Sequence, residues 1–387
     1  MFAPAGGSPG QYGPDAGRNG ESKVDFELTG DQQMLRTLVE RFNASRRKPA
    51  SHATPRPAPT GFFAENWALL AEMGLLAVPF DAAHGGLGGG AVDIITAMEA
   101  FGRGLAAEPV LQEVVAGTLL QVAGTADQVA QWLPRVIDGS THLALAQAEH
   151  GGRFSLTRCG TRFVQGRLHG AKTCVPACAD LYIVTAQGEA ALQLVLVGAD
   201  APGLSRRDYR LVDGAFASEL TFDTVEGEAM AGGLAALEDA AQIGRLAASA
   251  EMIGLSGLLF DATLDYVRQR RQFGAPLGSF QAIQHRLADA YASLELARSH
   301  LYRAALTEPP ERDAAVAAAK SYISTVAIRI GEEAIQLHGG IGTTDELIIG
   351  HAHKRVLFLA QYLGDADHEL GRYNRARREE EKEGLLF

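Results

Sequence analysis

A chain of 387 residues, 47% of them hydrophobic, is long enough for two or three domains and a sizeable core. Its 35 Lys and Arg residues against 46 Asp and Glu give a net charge of -11, which argues against a general nucleic-acid binder. It has no uninterrupted apolar run of about 18 residues, no basic amphipathic stretch and no basic-then-apolar leader, so no membrane span, surface helix or secretory signal is predicted. The three cysteines, Cys159, Cys174 and Cys178, are too few and odd in number for a disulfide framework and point to a reducing cytoplasm. Richness in Arg and Ala, with only six lysines, is a bacterial kind of composition.

Residues 1–25 read as a disordered tail. Residues 26–140 are helical in pattern. Thr29 is a plausible N-cap ahead of Gln32 and Gln33, with Leu35, Leu38, Val39 and Phe42 on one face. The stretch 46–60 carries Pro49, Pro55, Pro57 and Pro59 and breaks any helix. A further helix is predicted from about Val92 to Arg103. Residues 141–232 then change to short apolar or alternating runs separated by Gly, Asp and Pro. With no helix between them, they predict a compact, barrel-like antiparallel β domain. Residues 233–387 return to helix. A first long helix has a small-residue face of Ile243, Leu246, Ala247, Ala250, Ile253, Gly254 and Gly257. Segments near 281–306, 312–338 and 346–373 follow, and the Arg/Glu-rich stretch 375–383 reads as a solvated end. The predicted class is α+β: an N-terminal helical domain, a middle β domain and a C-terminal four-helix bundle.

Three glycine-bearing stretches are candidates for chemistry. His84–Ala91 fits a loose Gly-x-Gly-x-x-Ala pattern through Gly86, Gly88 and Ala91, but no βαβ unit follows, so an ordinary turn is the better reading. In 269–290, Gly274, Pro276 and Gly278 break one helix before another begins. Arg270 and Arg271 there either complement the helix dipole or clamp a pyrophosphate, and Gln281 and Gln284 open the next helix as candidate hydrogen-bonding groups for a polar cofactor edge. In 335–347 a helix ends at Gly339 and Gly340, where backbone without side chains lets a ligand approach. His351 and His353, two apart on a helix, point to different sides and share no ion, and no metal site is predicted.

Arg-x-x-Phe-Gly at Arg270–Gly274 and Gln-x-x-Gly-Gly-x-Gly at Gln336–Gly342, in this helical, β, helical order, resemble the acyl-CoA dehydrogenase family. The stretches 73–90 and 279–290 also look like that family, and the resemblance covers about residues 26–373. It implies an oxidoreductase with FAD. A glutamate removes the proton alpha to an acyl-CoA thioester, hydride passes from the beta carbon to the flavin, and a 2-enoyl-CoA forms. An electron-transfer flavoprotein then takes the electrons. By the resemblance, Arg270, Phe273, Gly274, Gln281, Gln336, Gly339 and Gly340 contact FAD held mainly by a neighbouring subunit.

The chain departs from the family where its own chemistry would sit. The family's Tyr-Glu-Gly-Thr is here Tyr362-Leu363-Gly364-Asp365, and the alternative base, just before an arginine, is Gly244 ahead of Arg245. Thr-Glu-Pro is replaced by Ala148-Glu149-His150. Trp-Ile-Ser or Thr is replaced by Cys174-Val175-Pro176; Ala148 lacks a hydroxyl and Pro176 an N–H that would serve the chain's own flavin. Residues that serve a neighbour's flavin are kept. Residues 342–370 look most like the small subunits of two-subunit enzymes of the pimeloyl-CoA or steroid side-chain type. The expectation is a partner subunit in a heterotetramer of lipid or steroid catabolism. The alternatives are an independent homomer using a substitute base, Asp365, Asp367 or Glu251, and a flavin-free scaffold or acyl-CoA-binding subunit.

Overall fold

A computed structural model of the chain describes residues 27–46 and 61–384, with side chains through Arg378. The expected tail at 1–25 and nearly all of the proline-rich breaker lie outside the described residues. Helix α1 (Gly30–Ser45) opens with the capping box the sequence suggested: Thr29 Oγ1 accepts from Gln32 N, and Thr29 N donates to Gln32 Oε1. Its Val39 and Phe42 are buried. Four more helices follow: α2 (Ala64–Glu72), α3 (Ala91–Gly104), α4 (Val110–Ala123) and α5 (Ala126–Ile137).

The β domain comprises β1 (Leu143–Ala146), β2 (Arg162–Val164), β3 (Arg167–Pro176), β4 (Leu181–Gln187), β5 (Leu192–Gly198), β6 (Leu204–Arg210), β7 (Phe216–Glu226) and β8 (Glu228–Ala229). They form one sheet in the order β6-β7-β3-β2-β4-β5-β8, with β1 on β4. The expectation of a purely antiparallel sheet needs correction. β1 runs parallel to β4, Leu143 opposite Leu181, and Arg162 of β2 makes a parallel bridge to Gln187. β2 and β3 lie between β1 and β4 in sequence, so the chain returns to the same end of the sheet before β4 begins. Strand β6 had no sequence signal: its Ser205, Arg206, Arg207 and Asp208 are all exposed, as befits an edge strand with no buried face to pattern.

The C-terminal helices are α6 (Leu234–Gln269), α7 (Gln281–Leu306), α8 (Arg312–His338), α9 (Ile348–Gln361) and α10 (Ala366–Gly384). A short hairpin of β9 (Arg271–Gln272) and β10 (Ala275–Pro276) joins α6 to α7. The small-residue face of α6 meets α3 at backbone distance. A Cβ on Gly254 would stand 2.0 Å from Glu99 O, and one on Gly102 would stand 2.2 Å from Glu251 O. Helix α6 is long and apolar enough to span a membrane by length and composition, yet 83% of its apolar window is buried inside the protein.

The single fourth helix expected over 346–373 is instead two. The break falls at Leu363 and Gly364, with φ of 57° and 141°. Two buried basic side chains hold the broken turn. Lys320 Nζ of α8 donates to the carbonyls of Leu359, Ala360 and Gly364, and Arg245 Nη2 of α6 donates to Leu363 O. The stretch 375–383 belongs to α10.

Candidate functional site

A cavity of about 350 Å³ opens where the N-terminal helices, the β domain and α9 meet. Phe62, Gln112, Leu145, Phe154, Cys178, Tyr362 and Leu363 contribute to its lining. The two positions singled out for a missing base converge here. Leu363, 7% exposed, lines the cavity. A Cβ built on Gly244 would stand 2.7 Å from Leu363 Cδ1 and 2.7 Å from Val115 Cγ2. A leucine methyl therefore fills the space a side chain at either position would enter.

The three alternative carboxylates are held elsewhere. Glu251 is buried and takes both arms of Arg355, with Nε to Oε1 at 2.7 Å and Nη2 to Oε2 at 3.1 Å. Arg355 also donates to buried Asp213 at 2.9 Å. Burial opposes the charge on Arg355, but Glu251 and Asp213 outweigh it and raise its pKa above the ordinary arginine value. Both oxygens of Glu251 are thus committed to a guanidinium that keeps its proton. Asp365 Oδ1 accepts from His368 N at 2.8 Å, the role of a helix cap. Asp367 is exposed in the first turn of α10. Neither lines the cavity.

The wall supplied by the β domain offers few donors. Thr173 N already donates to Ala148 O, Cys174 N donates to Tyr209 Oη, and Pro176 has no N–H. Glu149 is turned inward. It accepts from Lys172 Nζ at 2.7 Å, Gly160 N at 2.6 Å and Thr161 N at 3.0 Å. Burial works against its charge, yet these bonds hold its pKa down to about 2. The turn at 84–91 is closed as well. The N–H groups of Gly86, Leu87, Gly88 and Gly89 donate to Asp81, Ala77, Phe80 and Val78 carbonyls, so none of these four is left for a phosphate.

The second set of residues lies at one end of the bundle and contributes nothing to this cavity. Arg270 caps α6, Phe273 and Gly274 form the hairpin tip, and Gln281 begins α7. Gln336 lies in the last turn of α8, which Gly339 ends, with Gly340 beyond. Stacking joins the two stretches: the Tyr266 and His338 rings lie 4.3 Å apart, and Tyr266 Oη donates to His338 O. All seven residues are exposed, Phe273 to 90%. The Arg270 backbone bonds Tyr266 O and Leu277 N, and its guanidinium has no ion-pair or hydrogen-bond partner among the described residues. A Cβ on Gly274, Gly339 or Gly340 would meet nothing within 4 Å. The result is open, bare backbone beside unspent guanidinium.

Residues 29–140 match the N-terminal domain of acyl-CoA dehydrogenases, and residues 231–376 match their C-terminal domain. The chain belongs to the acyl-CoA dehydrogenase family. It is similar to the probable acyl-CoA dehydrogenase YngJ of Bacillus subtilis (strain 168), 29% identical over 353 residues, covering 84% of this chain and 91% of that one. Among solved structures it resembles a variant of the Tcur3481-Tcur3483 steroid ACAD, with TM-score 0.82, 31% identity and coverage of 91% and 99%. It also resembles the ChsE4-ChsE5 complex from Mycobacterium tuberculosis, with TM-score 0.84, 26% identity and coverage of 92% and 99%.

Acyl-CoA dehydrogenases are oxidoreductases acting on CH–CH bonds, with FAD as cofactor. The chain's own cavity does not fit an isoalloxazine held in the family's manner, because the N–H groups of Thr173 and Cys174 are spent and Pro176 has none. The exposed bundle end fits the remainder of an FAD, with a free guanidinium for the pyrophosphate and glycine backbone open to approach. Sequence reasoning did not single out Gln112, Arg355 or Asp213. No local spacing marks them, since the pairing of Arg355 with Asp213 spans 142 positions.

Proposed function

We propose that this chain is the partner subunit of a heteromeric acyl-CoA dehydrogenase. It completes the FAD site of a second subunit and supplies no proton-abstracting carboxylate of its own. The observation that carries this reading is that Leu363 fills the space beside Gly244, where a Cβ would stand 2.7 Å from its Cδ1, with Glu251 locked to Arg355. Arg270, Gln336 and the backbone at Gly339 and Gly340 hold and orient the far part of the partner's FAD. Phe273 and Gln281 flank it, with Gly274 giving the hairpin its turn. When bound, FAD supplies the hydride acceptor, while the second subunit supplies the base that takes the alpha proton. The substrate is an acyl-CoA of lipid or steroid origin, the electrons go to an electron-transfer flavoprotein, and the setting is a reducing bacterial cytoplasm. The steroid ACAD and the ChsE4-ChsE5 complex among the structural neighbours support a heteromer.

Purification alone and with a co-expressed second subunit tests the proposal. Flavin absorbance and turnover are expected only in the complex, and Arg270→Ala is expected to lower its FAD occupancy. Stoichiometric FAD with dehydrogenase turnover in the lone protein would overturn the reading in favour of a homomer with a substitute base. Unchanged occupancy in the Arg270 variant would remove that residue from the site.

A further inference from the structure

The cavity beside Leu363 has lost a base but has not collapsed. Its volume of about 350 Å³ falls within the range of small-molecule sites. Two of its buried charged side chains, Glu108 and Arg355, are already satisfied. Glu108, 4% exposed, accepts from Asn66 Nδ2 at 2.6 Å through one oxygen and from Ala107 N at 3.0 Å through the other. Arg355 is consumed by Glu251 and Asp213. Gln112, four positions beyond Glu108 in the first turn of α4, also lines the cavity. Its Oε1 is buried and has no hydrogen-bond partner among the described residues.

The rest of this wall offers the amide little. Phe62 meets His142 edge to face, and His142 Nδ1 is 3.2 Å from Glu113, the residue after Gln112. Glu113 in turn accepts from Leu143 N at the start of β1, so Phe62, Leu145 and α4 close one side of the cavity together. Phe62, Pro109 and Leu145 have no polar side-chain hydrogen. A buried acceptor without a partner costs free energy that a ligand donor would recover.

We propose that the cavity binds an acyl-CoA whose acyl group carries a hydrogen-bond donor, a hydroxyl or amide N–H, at its far end, and that Gln112 reads this donor. The inference rests on the family reading only for the thioester. It holds whichever subunit carries the flavin. A site with a buried acceptor discriminates strongly against an analogue lacking the donor, because the acceptor is then left unpaired.

Calorimetric titration of the purified protein with ω-hydroxyacyl-CoA thioesters, from hexanoyl to dodecanoyl, against their unsubstituted counterparts tests the inference. At the best-fitting length the hydroxylated thioester should bind about tenfold or more tighter. Gln112→Leu should abolish or reverse that preference, and Gln112→Glu, which keeps an acceptor, should retain it. Equal affinities across the wild-type series would overturn the assignment of Gln112 alone. Failure of every thioester to bind would overturn the acyl-binding cavity itself. Flavin absorbance of the same preparation reports separately on the subunit proposal.

Discussion

Lys320 makes a pH-dependent signature that can be worked out in advance. The side chain is fully buried. Burial drives its pKa down from the ordinary 10.5 to about 7. Arg245 adds to the depression, and Glu369 and Asp365 oppose it. Below pH 7 the lysine is charged both folded and unfolded, so the full penalty of a buried ammonium is present and stability is flat with respect to this group. Between pH 7 and 10.5 the unfolded chain binds the proton and the folded chain does not, so stability rises with pH. The limiting slope is about 1.4 kcal/mol per pH unit, and on the order of 4–5 kcal/mol is recovered across the window. Lys320→Met removes the term. It also deprives the Leu359, Ala360 and Gly364 carbonyls of a donor, which lowers absolute stability without adding a slope. Urea denaturation of both proteins from pH 6 to 9.5 is the assay. Other titrating groups are common to the pair and cancel in the difference. The wild-type curve should climb relative to the variant above pH 7. Parallel curves would refute a depressed lysine under the turn that carries Leu363.

Arg355→Met should destabilise the protein by about 3–5 kcal/mol in the same assay, because it leaves Glu251 and Asp213 as unpaired buried carboxylates. Adding Glu251→Gln and Asp213→Asn should restore part of the loss. The stability difference between wild type and Glu149→Gln should be present above pH 4.5 and shrink as acid protonates Glu149 toward pH 2; a difference independent of pH would contradict its tie to Lys172. Gly244→Glu drives a side chain into Leu363 and Val115 and should be poorly tolerated, while Gly244→Glu with Leu363→Ala should recover at least about 1 kcal/mol beyond additivity. Strictly additive losses would show that the two positions do not meet.

What the sequence made visible follows from the range over which each feature is encoded. Thr29 and Gln32 lie three residues apart, and their capping box forms as read. The glycines and alanines of α6 repeat at helical spacing, and that face meets α3. Strand β6 escaped notice because neither of its faces is buried, so no alternation marks it. The break at Leu363 escaped for a different reason. A leucine carries no turn signal, and the left-handed turn is held by Lys320 on Gly364 and Arg245 on Leu363, 44 and 118 residues apart in sequence. The absence of a carboxylate at 244 and at 363 was plain in the sequence. That one absence shapes the other was not, since it depends on how closely the Leu363 side chain, in the turn between α9 and α10, packs against Gly244 of α6.

That packing bears on how a base could return. Restoring a carboxylate at one position requires the other to stay small, because Leu363 already occupies the space beside Gly244. Glu251 offers no shortcut. Freeing it means breaking a bidentate pair to an arginine that a second buried carboxylate also holds, and the lone guanidinium–Asp213 pair would then have to carry the buried charge alone. On the proposed partner-subunit reading, independent chemistry in this chain needs at least two coordinated changes around Leu363 as well as new donors on the β wall. The exposed bundle end needs none to meet a flavin from outside, since Arg270 is unspent and the glycine backbone at 339 and 340 is already open.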